Sequence, residues 1–101
     1  MPAILMADID VTDPEAYEHY KAGTPAILRR FGGRYLSLAG ATKVYEGEWQ
    51  MHRTVIIEFP SMDMLDSFYH SEEYQALCEI RWKSADSRMV AIETLAEPKA
   101  P

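Results

Sequence analysis

Residues 52–59, HRTVIIEF, carry the clearest strand pattern in the chain, and they are apolar on both sides. Side chains alternate across a strand, so Val55, Ile57 and Phe59 share one face. Thr54, Ile56 and Glu58 share the other. Two further segments behave alike. In residues 3–11, AILMADIDV, Leu5, Ala7, Ile9 and Val11 oppose Ile4, Met6, Asp8 and Asp10. In residues 88–95, RMVAIETL, Met89, Ala91 and Leu95 alternate with Val90, Ile92 and Thr94. A sheet of such strands needs cover on both faces. Leaving Ile4, Met6, Ile56 and Ile92 in water forgoes roughly 1.5–3 kcal/mol per large side chain.

Helical signals lie between the strands. Asp13 can cap a helix, Pro14 suits its first position, and Glu15 suits its positive end. Tyr17, Tyr20, Thr24, Ile27, Leu28 and Phe31 then fall on one face. Pro25 predicts a kink near Gly23-Thr24 or a split into two short helices. Gly32-Gly33 stops the run. It follows a helix, so it is no phosphate loop. Residues 34–38, RYLSL, read as a second strand, which Gly40 interrupts and Thr42 to Glu46 could continue beyond a bend or bulge. Glu46 to Gln50 is a loop carrying Trp49.

Pro60 ends the third strand and Ser61 caps a helix, with Met62, Leu65, Phe68 and Tyr69 as its apolar stripe. Ser71-Glu72-Glu73 is a second cap, so this helix breaks near His70 and restarts. Tyr74, Leu77, Cys78 and Arg81 share the next face. The tail, AEPKAP, reads as frayed.

The order is β-α-β-β-α-β. That is the α+β, ferredoxin-like plan of a four-stranded antiparallel sheet with two helices on one face. At 101 residues the chain is expected to form a single domain. A chain this size buries only about 60–70% of its unfolded surface. The uncovered apolar face therefore predicts a homodimer in which two sheets pack together.

Charge and cysteine narrow the partners. The net charge of −6 disfavours nucleic acid. No run of 18 apolar residues exists, so no membrane span is expected. MPAILMADID lacks a basic n-region and reads as no signal peptide. The lone Cys78 cannot form an internal disulfide, which suits a reducing, cytoplasmic setting.

Four segments, DVTDPEAYEHY (10–20), RFGGRYL (30–36), RTVIIEFPS (53–61) and FYHSEEYQ (68–75), together resemble a family of small uncharacterised bacterial proteins known only as a domain of unknown function. That family sits with the dimeric α/β-barrel proteins, whose relatives include cofactor-free antibiotic-biosynthesis monooxygenases. The resemblance implies a ferredoxin-like protomer whose sheet closes a barrel with a second sheet. It implies no activity. The chain departs from the family in two places. Ser37-Leu38-Ala39-Gly40 replaces an Arg-Gly-Gly turn, and Phe68 stands where Trp is frequent.

Glu58 is the residue most suggestive of chemistry, because a carboxylate in an apolar strand must be paired or protonated. It could serve as a general base or ligand anchor. It could equally form a structural ion pair with Arg34, Arg53 or Arg81. Tyr20 and Tyr69, with Tyr17 and Tyr74 on the same stripes, could line a small-molecule pocket or simply fill the core. Arg34 and Arg81 match basic positions of the family and, with Tyr20 and Tyr69, are the candidate ligand-binding residues. Arg81 falls on an apolar helix side and wants a carboxylate, from Glu58 or from a ligand.

His19, His52 and His70 show no metal-ligand spacing, so no metal is expected. Asp8, Asp10 and Asp13 lack the glycine and closing Glu of a calcium loop. Cys78 reads as a buried structural thiol, and Trp49 and Trp82 as interface or core anchors. Two functions fit these residues. One is a homodimeric small-molecule protein whose chemistry, if any, needs no cofactor, with Glu58 as base or anchor and Tyr20, Tyr69 and Arg81 orienting the ligand. The other is a non-catalytic binding or assembly module.

Overall fold

The structure, a computed structural model, describes residues 1–101. The elements are β1 (Ala3–Val11), α1 (Pro14–Arg30), β2 (Arg34–Leu38), β3 (Arg53–Phe59), α2 (Met62–Tyr69), α3 (Glu72–Ser84) and β4 (Ala85–Glu93). One antiparallel sheet runs β2-β3-β1-β4. The βαββαβ order is the ferredoxin-like arrangement expected from the sequence, with the second helical segment divided into α2 and α3.

The caps fall where short polar residues precede apolar stripes. The Asp13 carboxylate accepts from Ala16 N–H at 3.2 Å, with Pro14 in the first turn. Ser61 accepts from Met64 N–H, and Ser71 from Tyr74 N–H. Gly32, at φ +77°, closes α1. Its N–H donates to Arg29 O, and Gly33 N–H donates to Leu28 O. That pair of bonds satisfies the last carbonyls of the helix. A side chain at Gly33 would meet Leu28 at 2.9 Å.

Four local expectations need correction. Pro25 does not divide α1, which continues as one helix through Arg30. Thr42–Glu46 forms no strand, and residues 39–52 hold neither helix nor strand. The chain leaves the sheet at Ala39, which sits at φ +58° and donates its N–H to Thr54 O. The irregularity in β2 falls between Tyr35 and Ser37, not at Gly40. The last strand covers Ala85–Glu93 instead of 88–95. Ala85, Asp86 and Ser87 are weak strand formers, but they pair with Val11, Asp10 and Ile9. Ser84 O accepts from both Thr12 and Asp13 N–H, which ties the end of α3 to the end of β1.

The core lies between sheet and helices. Leu5, Ile9, Val55, Ile57 and Phe59 meet Tyr17, Leu28, Leu65, Phe68, Tyr74 and Cys78 there. The opposite face is only partly covered within the chain, where Trp49 and Met51 of the 39–52 segment lie beside Met6, Thr54 and Val90. Met6 pairs across the sheet with Ile56 and Val90, and Ile4 pairs with Ile92. Val90 is 61% exposed and Ile92 is 58% exposed. The molecule is a slab of 44 × 34 × 16 Å with an apolar outer surface on its sheet side.

Candidate functional site

A cavity of about 130 Å³ opens between the sheet and the helices. Leu5, Ala7 and Ile9 of β1 form its floor with Val55 and Ile57 of β3. Ala7 presents only a methyl group there, which leaves space beneath α1. Tyr17, Tyr20 and Thr24 come from α1, Phe68 from α2 and Tyr74 from α3. Tyr35 and Leu38 close the β2 side. Lys21 and Arg53 are the charged residues of the lining.

Three of its four phenols, those of Tyr17, Tyr20 and Tyr74, come from the helices. The Tyr20 and Tyr74 hydroxyls are hydrogen-bonded at 2.7 Å. The Tyr17 and Tyr20 rings stack with centroids 5.3 Å apart. Burial pushes the Tyr20 phenol up to about 12, against the opposing pull of its Tyr74 bond and the Arg81 charge. Burial also raises Tyr74, with the Tyr20 neighbour adding to the shift. Tyr17 is raised by burial while the Arg53 charge pulls the other way. All three are therefore neutral donors and acceptors near neutral pH.

Arg81 stands behind this wall. It is 2% exposed, and its guanidinium carbon lies 5.6 Å from the centre of the Tyr20 ring. Nη2 donates to Cys78 Sγ at 3.4 Å, and Nε has no partner. Burial opposes its charge, but the Tyr74 phenol, the Cys78 sulfur bond and Tyr20 outweigh that and raise its pKa.

The residues singled out from sequence divide between the two faces. Tyr20 is in the cavity wall and Arg81 behind it. Tyr69 lies just outside the lining, its ring 5.8 Å from Tyr74 and edge-on to His70. Glu58 and Arg34 are on the opposite face of the sheet. Arg34 Nε donates to Glu58 Oε1 at 2.6 Å across the β2–β3 register. The geometry does not bring Glu58 together with Tyr20, Tyr69 or Arg81. Alternation along β3 forces this, because Val55, Ile57 and Phe59 occupy the helix side. Of the ion-pair partners considered for Glu58, the structure selects Arg34.

Sequence reasoning missed two things. One is the place of Arg53, considered only as a partner for Glu58: its Nε is buried without a partner at the cavity lining. Its position at the first residue of β3, in phase with Val55 and Ile57, was the available signal. The other is a polar cluster on the outer face. His52 N–H donates to Asp8 Oδ1 at 2.7 Å, and His52 Nδ1 lies 3.0 Å from Asp8 Oδ2. Arg88 reaches Asp8 at 3.6 Å, and His52 Nε2 is 3.7 Å from Asp10. Burial works to raise the Asp8 pKa, but the bonds and charge from His52 and the Thr54 hydroxyl hold it below its usual value. No group of three or more His, Cys, Asp or Glu is placed to hold a metal ion. No helix is long and apolar enough to cross a membrane.

Fold and site thus define a ferredoxin-like α+β protein with a tyrosine-walled cavity on the helix side of its sheet. The chain belongs to the family described as Domain of unknown function (DUF1330), which matches residues 2–95. No curated protein matches it. It is similar in fold to a protein of unknown function from Rhodopseudomonas palustris. That match has 17% identity and a TM-score of 0.73, over 95% of this chain and 84% of the other. It is also similar to SnoaB, a cofactor-independent oxygenase from Streptomyces nogalater, at 15% identity and TM-score 0.63, over 95% and 98%. A dimeric protein of unknown function with a ferredoxin-like fold from Bacteroides fragilis matches at 13% identity and TM-score 0.62, over 92% and 96%.

Proposed function

We propose that the protein is a single-domain homodimer whose protomers each bind one small organic molecule in the tyrosine-walled cavity. The observation that carries this reading is the cavity itself, about 130 Å³ with mostly apolar walls and one hydroxyl pair. An apolar cavity near 150 Å³ takes a benzene-sized guest, so a one-ring ligand is the appropriate scale. The lining contains no carboxylate and no histidine. Any turnover is proposed to be cofactor-independent, like that of the oxygenase of similar fold, with protons moving through Tyr20 and Tyr74 instead of Glu58. Glu58 and Arg34 then belong to the seam between two sheets, beside Ile4 and Ile92. Their separation from the cavity favours the binding role over the catalytic one assigned to Glu58.

Native mass spectrometry of the purified protein tests this reading. It predicts a dimer carrying added small-molecule mass, or taking it up from a panel of one-ring compounds. A protein that takes up none of them contradicts it.

A further inference from the structure

The cavity is cationic in an acidic protein. The chain has net charge −6, yet the charged residues of the lining are Lys21 and Arg53, with Arg81 behind the Tyr20 wall. The carboxylates that form ion pairs do so elsewhere. Glu58 pairs with Arg34, Glu73 with Arg30, Glu18 with Lys21, and Asp8 with His52 and Arg88. Lys21 is thus partly answered at the surface. Arg53 and Arg81 have no carboxylate, and each leaves a buried Nε without a partner. Arg81 is 2% exposed and its one side-chain bond goes to sulfur. A buried cation such as Arg81 is costly without an anion, and the protein supplies none.

The phenol pair points the same way. One hydroxyl donates to the other, so the accepting hydroxyl keeps a hydrogen free for a ligand oxygen. The nearby Arg81 charge strengthens that donor. Leu5, Ile9, Val55, Ile57, Phe68 and Met89 supply apolar wall, which suits a ring.

We propose that the cavity selects a ring-sized organic monoanion, an apolar ring bearing one carboxylate or phenolate, whose charge is balanced by Arg53 and Arg81 and whose oxygen accepts from the Tyr20–Tyr74 pair. This rests on the small-molecule reading above and names its ligand class. A neutral phenol that binds releases its proton to solvent, and Arg81 remains protonated throughout.

Calorimetry with benzoate, benzamide, toluene and benzamidine separates the alternatives. Benzoate is expected to bind at least about tenfold more tightly than benzamide, and benzamidine not at all. 4-Nitrophenol reports the phenolate arm by absorbance. Its bound ionisation is expected about one pH unit below that of the free probe, which corresponds to tenfold preference for the anion. Arg53→Met and Arg81→Met should each erase most of the preference. Arg81→Lys keeps the charge and should retain it, which covers the case in which Arg81→Met does not fold. Equal binding of benzoate, benzamide and toluene, with unshifted nitrophenol, overturns the anion proposal and leaves the small-molecule reading standing. Binding of none of these probes overturns both.

Discussion

The two faces of this sheet are built from the same strands and follow opposite physics. On the helix side, Leu5, Ile9, Val55 and Ile57 are buried, and the polar groups around them include phenols and unpaired guanidinium nitrogens. On the outer side, Ile4, Met6, Ile56, Val90 and Ile92 form the centre, and the charges around them are paired: Arg34 with Glu58, and Arg88 with Asp8, which also accepts from His52 N–H. A face whose charges are already satisfied has no electrostatic demand left for a ligand, but its apolar centre still demands cover. A face whose apolar groups are covered but whose cations are not has the reverse demand. Under the proposed function, self-association belongs to one side and ligand binding to the other.

The largest effect that sharpens this contrast is in the core. Phe68→Ala removes a ring packed between Phe59 and Tyr74, whose centroids lie 5.3 and 4.1 Å away. It should cost about 3–5 kcal/mol in urea unfolding. Next comes the outer face. Ile92→Lys places a charge in the proposed seam and should raise the dimer dissociation constant about a hundredfold or more, roughly 3 kcal/mol, with the circular dichroism of the fold unchanged. If the variant stays dimeric, the seam lies elsewhere.

The pH response should also differ by face. Tyr20 has its folded pKa raised from 10 to about 12, so the unfolded chain ionises first as pH rises. Its contribution is intact below pH 10 and declines above it, by about 1.4 kcal/mol per pH unit until the folded value is passed. Tyr20→Phe should shallow that alkaline slope in unfolding experiments. Asp8 on the outer face behaves in reverse. Its folded pKa lies below 3.8, so its contribution is present above that value and is lost as pH falls through the folded one. Asp8→Asn should flatten the acid limb and leave the alkaline limb alone. The smallest effect is at Glu58. In the lone protomer the Arg34 side chain is 72% exposed, so their ion pair is screened there. Glu58→Gln should cost the lone protomer about 0.2–1 kcal/mol and leave ligand binding untouched. Lost binding in that variant would reconnect Glu58 to the cavity.

Most of the fold was legible because it rests on local signals. Asp13, Ser61 and Ser71 cap where their side chains predict, and the alternation in β1 and β3 assigns the faces correctly. The start of β4 was not legible, because Ala85-Asp86-Ser87 is held extended by β1 and by the Ser84 carbonyl, a tertiary effect. The uninterrupted α1 was hidden for a similar reason: Pro25 lowers local helix propensity, and packing against the rest of the fold decides the outcome. The site was half legible. Tyr20 and Arg81 could be found from helical spacing. Grouping Glu58 with them ignored the period of two that places it beside Ile56. The Tyr20–Tyr74 hydroxyl pair spans 54 residues, and no spacing rule reaches that far.

The central claim is that the outer sheet face is a seam and the inner one a site. Light scattering of the wild-type protein at micromolar concentration tests it most directly. The account predicts a particle of two 11.5 kDa chains. A stable particle of one chain, with Ile92 and Val90 left in water, would contradict it.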